Sequence, residues 1–252
     1  MIKKSTLIIT MVIWSSITLM GTAVTSGASE KVLFKSSIQK DSKNPLYLSG
    51  KLSKPEGKGP FPAIIMLHGA GGMHYGLDIW AERLSTWGYL SLQVDSFTPR
   101  GETSIMNDVL KIPPWIRAQD AYDAKAYLAK QKDVDPDRIG VMGWSHGGWT
   151  TLHTLDATDP PRKNPFKAAI AFYPYCSVDL EYMDAPLLIL IGERDRLCPA
   201  AFCKNTMPSS KTRHEVTLKV YPGERHGFDH TKSEAAAAAI HQAKKFLDKY
   251  LQ

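Results

Sequence analysis

The chain has 252 residues, of which 31 are Lys or Arg and 25 are Asp or Glu, for a formal net charge of +6. At 43% hydrophobic residues it has enough apolar surface for one sizeable core, and its basic residues are scattered rather than striped with aromatics, which argues against nucleic acid as a partner. The spacing of its three cysteines resembles no zinc site.

Met1-Ile2-Lys3-Lys4 is a short basic start, Leu7 to Met20 is mostly apolar, and Ser26-Gly27-Ala28 supplies small residues for cleavage. This is the pattern of a secretory signal peptide over residues 1–28. An uncleaved anchor is the alternative, although Ser15, Ser16 and Thr18 interrupt the apolar run. Cleavage after Ala28 leaves 224 of the 252 residues as one domain, 29–252, with 29 basic and 25 acidic side chains and a charge of +4. No later segment is apolar enough to cross a membrane, so the chain is expected to be exported, periplasmic or secreted, with no stable membrane insertion after cleavage.

Tyr47 to Ser53 predicts an early strand, followed by a solvated turn around Lys54, Pro55, Gly57 and Lys58. Pro62 to Leu67 is a fully apolar strand that ends in His68-Gly69-Ala70-Gly71-Gly72. Ile79 to Trp87 predicts a helix and Gly88 to Val94 the next strand. Ser96 to Pro114, broken by Pro99, Gly101, Pro113 and Pro114, cannot be a regular helix. Trp115 to Gln131 is an amphipathic helix with Ala118, Ala121, Tyr122 and Leu128 inward. Asp135-Pro136-Asp137 turns the chain into the strand Arg138 to Met142, and helical promise resumes after Gly148. Ala168 to Tyr173, Pro186 to Gly192 and Val216 to Tyr221 are three further strands. Ser177 to Asp184 is a short acidic loop, and Ser233 to Leu251 is a closing helix with Ile240, Ala243, Leu247 and Tyr250 on one face. Strands alternating with helices predict an α/β fold, a mostly parallel central sheet with helices on both faces.

Gly143-Trp144-Ser145-His146-Gly147 lies between a strand and a helix, the G-x-S-x-G nucleophile elbow of α/β-hydrolases. A tight strand-to-helix turn strains the nucleophile, and glycines on either side let the backbones pass. An acid and then a histidine should follow in sequence, and they do. Glu193-Arg194-Asp195 follows one strand and His226 follows the next, both at carboxyl ends where open α/β sheets place their sites. Asp195 is preferred over Glu193 as the acid. His226 would take the Ser145 proton, and Asp195 would hold the imidazole tautomer. Two backbone donors would receive the oxyanion: the amide of His146, and that of Ala70, with Gly71 the alternative. His226 and His230 are four apart but lack a helix and a third ligand, so no metal is expected.

Arg100, in the loop after the strand ending at Val94, should lie near the pocket mouth and pair with a structural carboxylate or with one on the substrate. Adjacent parallel strands place Cys176 near Cys203, read as opening the helix after the neighbouring strand. A Cys176–Cys203 disulfide is expected, with Cys198 free, because a bridge inside the Cys198–Cys203 turn would strain the acid loop.

The chain resembles the dienelactone hydrolase family of α/β-hydrolases. The likeness is carried by Leu67-His68-Gly69-Ala70-Gly71-Gly72, Asp95 to Gly101, Asp137 to Gly148 around the elbow, Phe172-Tyr173-Pro174, Gly192-Glu193-Arg194-Asp195 and Tyr221 to Asp229. It implies hydrolysis of a small-molecule ester or lactone without a cofactor, with Ser145, Asp195 and His226 in the triad positions. The family's founding activity uses cysteine at the elbow and an acidic residue on the loop after the early strand. This chain has Ser145 and a glycine-rich loop there instead, which favours a general carboxylic ester hydrolase. Peptidases of the prolyl-oligopeptidase type share the triad order, but this chain leaves no room for their large extra domain. A non-catalytic binding protein on the same scaffold should have lost a triad member.

Overall fold

The computed structural model describes residues 29–38, 44–158, 163–210 and 212–252, so the leader read at residues 1–28 lies outside them. Among the described residues eight strands form one sheet: β1 (Glu30–Lys35), β2 (Tyr47–Ser53), β3 (Phe61–Leu67), β4 (Leu90–Asp95), β5 (Val134–Trp144), β6 (Ala169–Phe172), β7 (Leu187–Gly192) and β8 (Val216–Tyr221). Their order is β1-β2-β4-β3-β5-β6-β7-β8. β2 runs antiparallel to both β1 and β4, and every other neighbour is parallel. The inner parallel strands β3 and β7 are apolar on both faces: Ala63 to Leu67 and Leu187 to Ile191 have no solvent exposure. Burial on both faces explains why they read as continuous apolar runs.

Among the described residues five α-helices flank the sheet: α1 (Tyr75–Thr86), α2 (Pro114–Leu128), α3 (His146–Leu155), α4 (Ala200–Asn205) and α5 (Glu234–Leu251). Side chains alternate along a strand, so β5 shows which helix covers which face. A Cβ on Gly143 would strike the α3 backbone at Gly147 O, whereas one on Gly140 would meet Leu251 of α5. Trp144, of the same parity as Gly140, packs on Trp80 of α1. α1 and α5 therefore cover one face and α3 the other, with α2 packed on α3.

Several boundaries differ from the sequence expectation. α1 begins at Tyr75 rather than Ile79, because His74 caps it by accepting the Gly76 N–H, and Gly76 hides the helix start in the sequence. β5 begins at Val134, not Arg138; Phe61 pairs with Val134 and Ala63 with Ile139, so the Asp135 to Asp137 turn is a bulge inside the strand. Cys203 lies within α4 rather than opening it. β1 was not expected from the sequence. In α5 the buried stripe runs through Ala236, Ala239, Ala243, Phe246, Leu247 and Leu251, leaving Ile240 and Tyr250 half-buried at its margins.

Candidate active site

The elbow is built by close backbone approach. Ser145 adopts φ 55°, ψ −117°, a conformation that costs a side chain about 1–3 kcal/mol and persists only where the surroundings impose it. Those surroundings require glycine twice. A Cβ on Gly143 would lie 2.1 Å from Gly147 O, and one on Gly147 would lie 1.9 Å from Leu67 O at the end of β3. The strained turn lifts Ser145 to the carboxyl edge of the sheet, at the head of α3.

There the Ser145 hydroxyl lies 2.9 Å from His226 Nε2, and His226 Nδ1 lies 2.7 Å from Asp195 Oδ2. The other Asp195 oxygen accepts the N–H groups of Leu197 (2.9 Å) and Cys198 (2.8 Å). The carboxylate is fully buried while the imidazole keeps 19% exposure, so one end of the relay is dry and fixed and the other opens to solvent. Glu193 instead accepts the Gly223 N–H on the exposed side (3.0 Å) and takes no part.

Beneath the histidine is a carboxylate to which the sequence reading assigned no role. Asp229, three residues after His226, is buried and accepts from Trp80 Nε1 (2.8 Å), Trp144 Nε1 (3.0 Å) and the Tyr173 hydroxyl (2.6 Å). It pins the histidine loop to α1, β5 and the end of β6. Tyr173 is the second non-glycine residue at positive φ (38°), and its ring packs on His226 at 4.5 Å. The two strained positions thus flank one imidazole.

The glycine-rich loop lies against Ser145, for a Cβ on Gly69 would be 3.5 Å from Ser145 Cβ. Gly69 O accepts from His68 Nδ1 (2.8 Å) and from Gly72 N (3.2 Å). Because a peptide is planar, these bonds fix the amide carried by Ala70. Ala70 O in turn accepts from Ile105 N (2.8 Å) and Ser104 Oγ (3.2 Å), which fixes the amide of Gly71. On the α3 side, Ser145 O accepts from Trp149 N (2.8 Å), which orients the amide of His146. Burial and the Arg117 charge hold the His146 ring down at a pKa of about 4, so it is neutral. Arg117, also missed from the sequence, is fully buried and bonds His146 Nδ1 and His68 O, each at 2.7 Å.

Arg100 is placed by a carboxylate of the protein. It grips Asp120 through two bonds of 2.7 and 2.8 Å and also donates to Ser96 O (2.7 Å). Cys176 and Cys203 are joined as a disulfide with Cα atoms 4.9 Å apart, linking the chain after Tyr173 to α4. Cys198 is free and buried, and burial followed by the Asp195 charge pushes its thiol up to about 12. Both unpatterned loops border the site. In the first, the Val109 carbonyl receives His146 Nε2 (2.8 Å); in the second, Ser177 Oγ receives Trp149 Nε1 (2.6 Å). Trp149, one turn after Ser145 on α3, Tyr175, beside Cys176, and Phe202, beside Cys203, form a partly exposed aromatic row with ring contacts of 5.2 and 5.4 Å. Among the described residues no three His, Cys, Asp or Glu side chains converge as a metal site.

A mostly parallel sheet with a strained serine elbow at the end of β5, and an acid and a histidine just past the ends of β7 and β8, defines an α/β-hydrolase. Within that class the chain belongs to the dienelactone hydrolase family, which it matches over residues 48–251. It is 26% identical over 200 residues to a carboxymethylenebutenolidase homolog of Xenopus tropicalis, covering 75% of this chain and 78% of that one. Among solved structures it is similar to dienelactone hydrolase from Anabaena variabilis, with a TM-score of 0.68 at 21% identity over 89% of this chain and 99% of that one. It is also similar to Pyrococcus horikoshii acylaminoacyl peptidase, with a TM-score of 0.69 at 20% identity, covering 90% of this chain but 42% of the peptidase. At that identity the last two show a shared fold.

Proposed function

We propose that the protein is a serine hydrolase that cleaves carboxylic esters or lactones of small molecules through an acyl-enzyme on Ser145. The observation that carries this reading is the unbroken relay from Asp195 through His226 to Ser145, at 2.7 and 2.9 Å, on a strained elbow. Ser145 Oγ attacks the carbonyl carbon while His226 Nε2 takes its proton. The oxyanion is received by the amides of His146 and Ala70. His226 then hands its proton to the departing alcohol, leaving the acyl group on Ser145. A water molecule, deprotonated by His226, attacks that ester; the tetrahedral adduct collapses to the free acid and the serine recovers its proton.

Asp195 stays ionised throughout and stabilises the imidazolium. No cofactor enters the cycle. The partly exposed rings of Trp149, Tyr175 and Phe202 favour a substrate with an apolar part. We also read the chain as exported, on the leader at residues 1–28 and the disulfide.

A panel of p-nitrophenyl esters against aminoacyl-p-nitroanilides tests the reaction class. Ester turnover that falls by at least about a thousandfold in Ser145→Ala is expected, with anilides cleaved poorly. Preference for anilides would replace the esterase reading with a peptidase, and ester turnover unchanged in Ser145→Ala would remove the nucleophile.

A further inference from the structure

We infer that Arg117 is a positioning residue for the oxyanion site, its single buried guanidinium holding both backbone segments that carry the donors and setting a positive charge behind them. The inference rests on the proposed roles of Ser145 and of the Ala70 and His146 amides.

One guanidinium nitrogen of Arg117 donates to His68 O, fixing the peptide immediately before the one that bears the Ala70 amide. The other meets His146 Nδ1, on the residue whose amide is the second donor. The two segments come from β3 and α3 and have no chain connection near the site. Arg117 is thus a two-pronged strut between them, and its planar fork suits it to two partners in fixed directions.

The neighbours of Arg117 make a purely structural role costly. The side chain has no solvent exposure, and among the described residues no carboxylate forms an ion pair with it. Asp120, the carboxylate that acts on it most strongly, has both oxygens bound by Arg100. Its Nε finds no partner, and its plane lies over the Phe97 ring at 4.8 Å. Burial draws the group down to a pKa of about 9, so it is still charged at neutral pH. The His146 ring is neutral and donates from Nε2 to Val109 O, which leaves the Nδ1 lone pair for Arg117. Asp120 and Asp95 act on Arg117 only at a distance, against the opposing charge of Arg100, and a buried cation with no direct ion pair is destabilising in the resting enzyme and beside a neutral ester. It becomes favourable when the tetrahedral adduct places an anion on the amides in front of it. Such an interaction, stronger in the transition state than in the ground state, raises kcat and leaves KM nearly unchanged.

The test compares Arg117→Met and Arg117→Lys with wild type for kcat and KM on p-nitrophenyl acetate. It adds binding of phenylboronic acid, which forms a tetrahedral anion on serine, and of a neutral amide analogue. Arg117→Met is expected to lower kcat by about 10–100-fold with KM within about threefold. Boronate affinity should fall with kcat and amide affinity should hold, with Arg117→Lys intermediate. A folded Arg117→Met with kcat within about twofold of wild type would overturn the inference, as would parallel losses of boronate and amide binding. If Arg117→Met does not fold, Arg117→Lys decides alone: a selective loss of kcat and boronate binding supports the strut, and wild-type kcat rejects it. Ester turnover that survives Ser145→Ala would instead strike the underlying nucleophile reading, whereas Ser145-dependent turnover indifferent to Arg117 removes only the present inference.

Discussion

Arg100 and Arg117 lie 17 positions apart in the chain and illustrate two uses of the same side chain. Arg100 has a partner of its own, the fully buried Asp120, and is itself 14% exposed. Its task is to neutralise that carboxylate and to brace the loop after β4 through Ser96 O. Arg100→Ala should therefore destabilise by about 3 kcal/mol, the lower end for a broken buried pair, because burial already raises the Asp120 pKa and lets the orphaned acid take up a proton. Turnover of p-nitrophenyl esters with and without a free carboxylate should fall by the same factor, alongside a lower melting temperature. A rise in KM confined to the anionic ester, at unchanged stability, would make Arg100 a substrate contact. Arg117 was missed because an arginine in an amphipathic helix reads as solvated. Its position held the signal: 117, 121, 124 and 128 follow helical spacing, which puts it on the face of Ala121, Ala124 and Leu128.

At the scale of elements the elbow is the least forgiving part of the fold. Gly147→Ala drives a Cβ to within 1.9 Å of Leu67 O and 2.6 Å of His68 O, both backbone atoms that cannot swing away. The expected result is a stability loss above about 2 kcal/mol together with a kcat loss of tenfold or more, read by urea denaturation and p-nitrophenyl acetate turnover. Wild-type behaviour in both would mean that β3 and α3 are not packed as described. Strands buried on both faces, such as β3 and β7, were legible because burial writes them as unbroken apolar runs, and the only partly buried β2 and β8 also have the same bounds in sequence and structure. β1 lay outside that signal, since Lys31, Leu33 and Lys35 face solvent on a strand paired along one edge. The site's outline was legible where side chains follow strand ends, as with Ser145, Asp195 and His226, which the fold brings within hydrogen-bond distance of one another. It was hidden where a residue acts through tertiary contact: Asp229 reads as a loop acid, and only the fold brings Trp80, Trp144 and Tyr173 onto it.

For the whole molecule, the buried histidines set the response to acid. His146 is held down at about 4 by burial and then by Arg117, and His68 lies well below its ordinary value for the same two reasons. The unfolded chain binds protons on these rings as pH falls below about 6.5, whereas the folded chain does not, so stability must drop with pH over that window. Between pH 7.5 and pH 5 His146 alone should remove about 2 kcal/mol, and His68 should add to it. Urea midpoints across that range should show the loss, and His146→Gln should flatten the slope. A midpoint independent of pH would mean that these rings are solvated or already charged. Acid is thus expected to loosen the segments that carry His68 and His146, the two histidines that Arg117 joins.

The most direct measurement on the central claim is covalent capture of the nucleophile. Wild-type protein treated with a fluorophosphonate and digested should show one phosphonylated peptide, the one containing Ser145, with ester turnover lost in step with labelling. Ser145→Ala should take up no label, and His226→Ala should label far more slowly, because the hydroxyl has lost its base. Labelling at another residue with full loss of turnover, or full turnover in protein already modified on Ser145, would contradict the account.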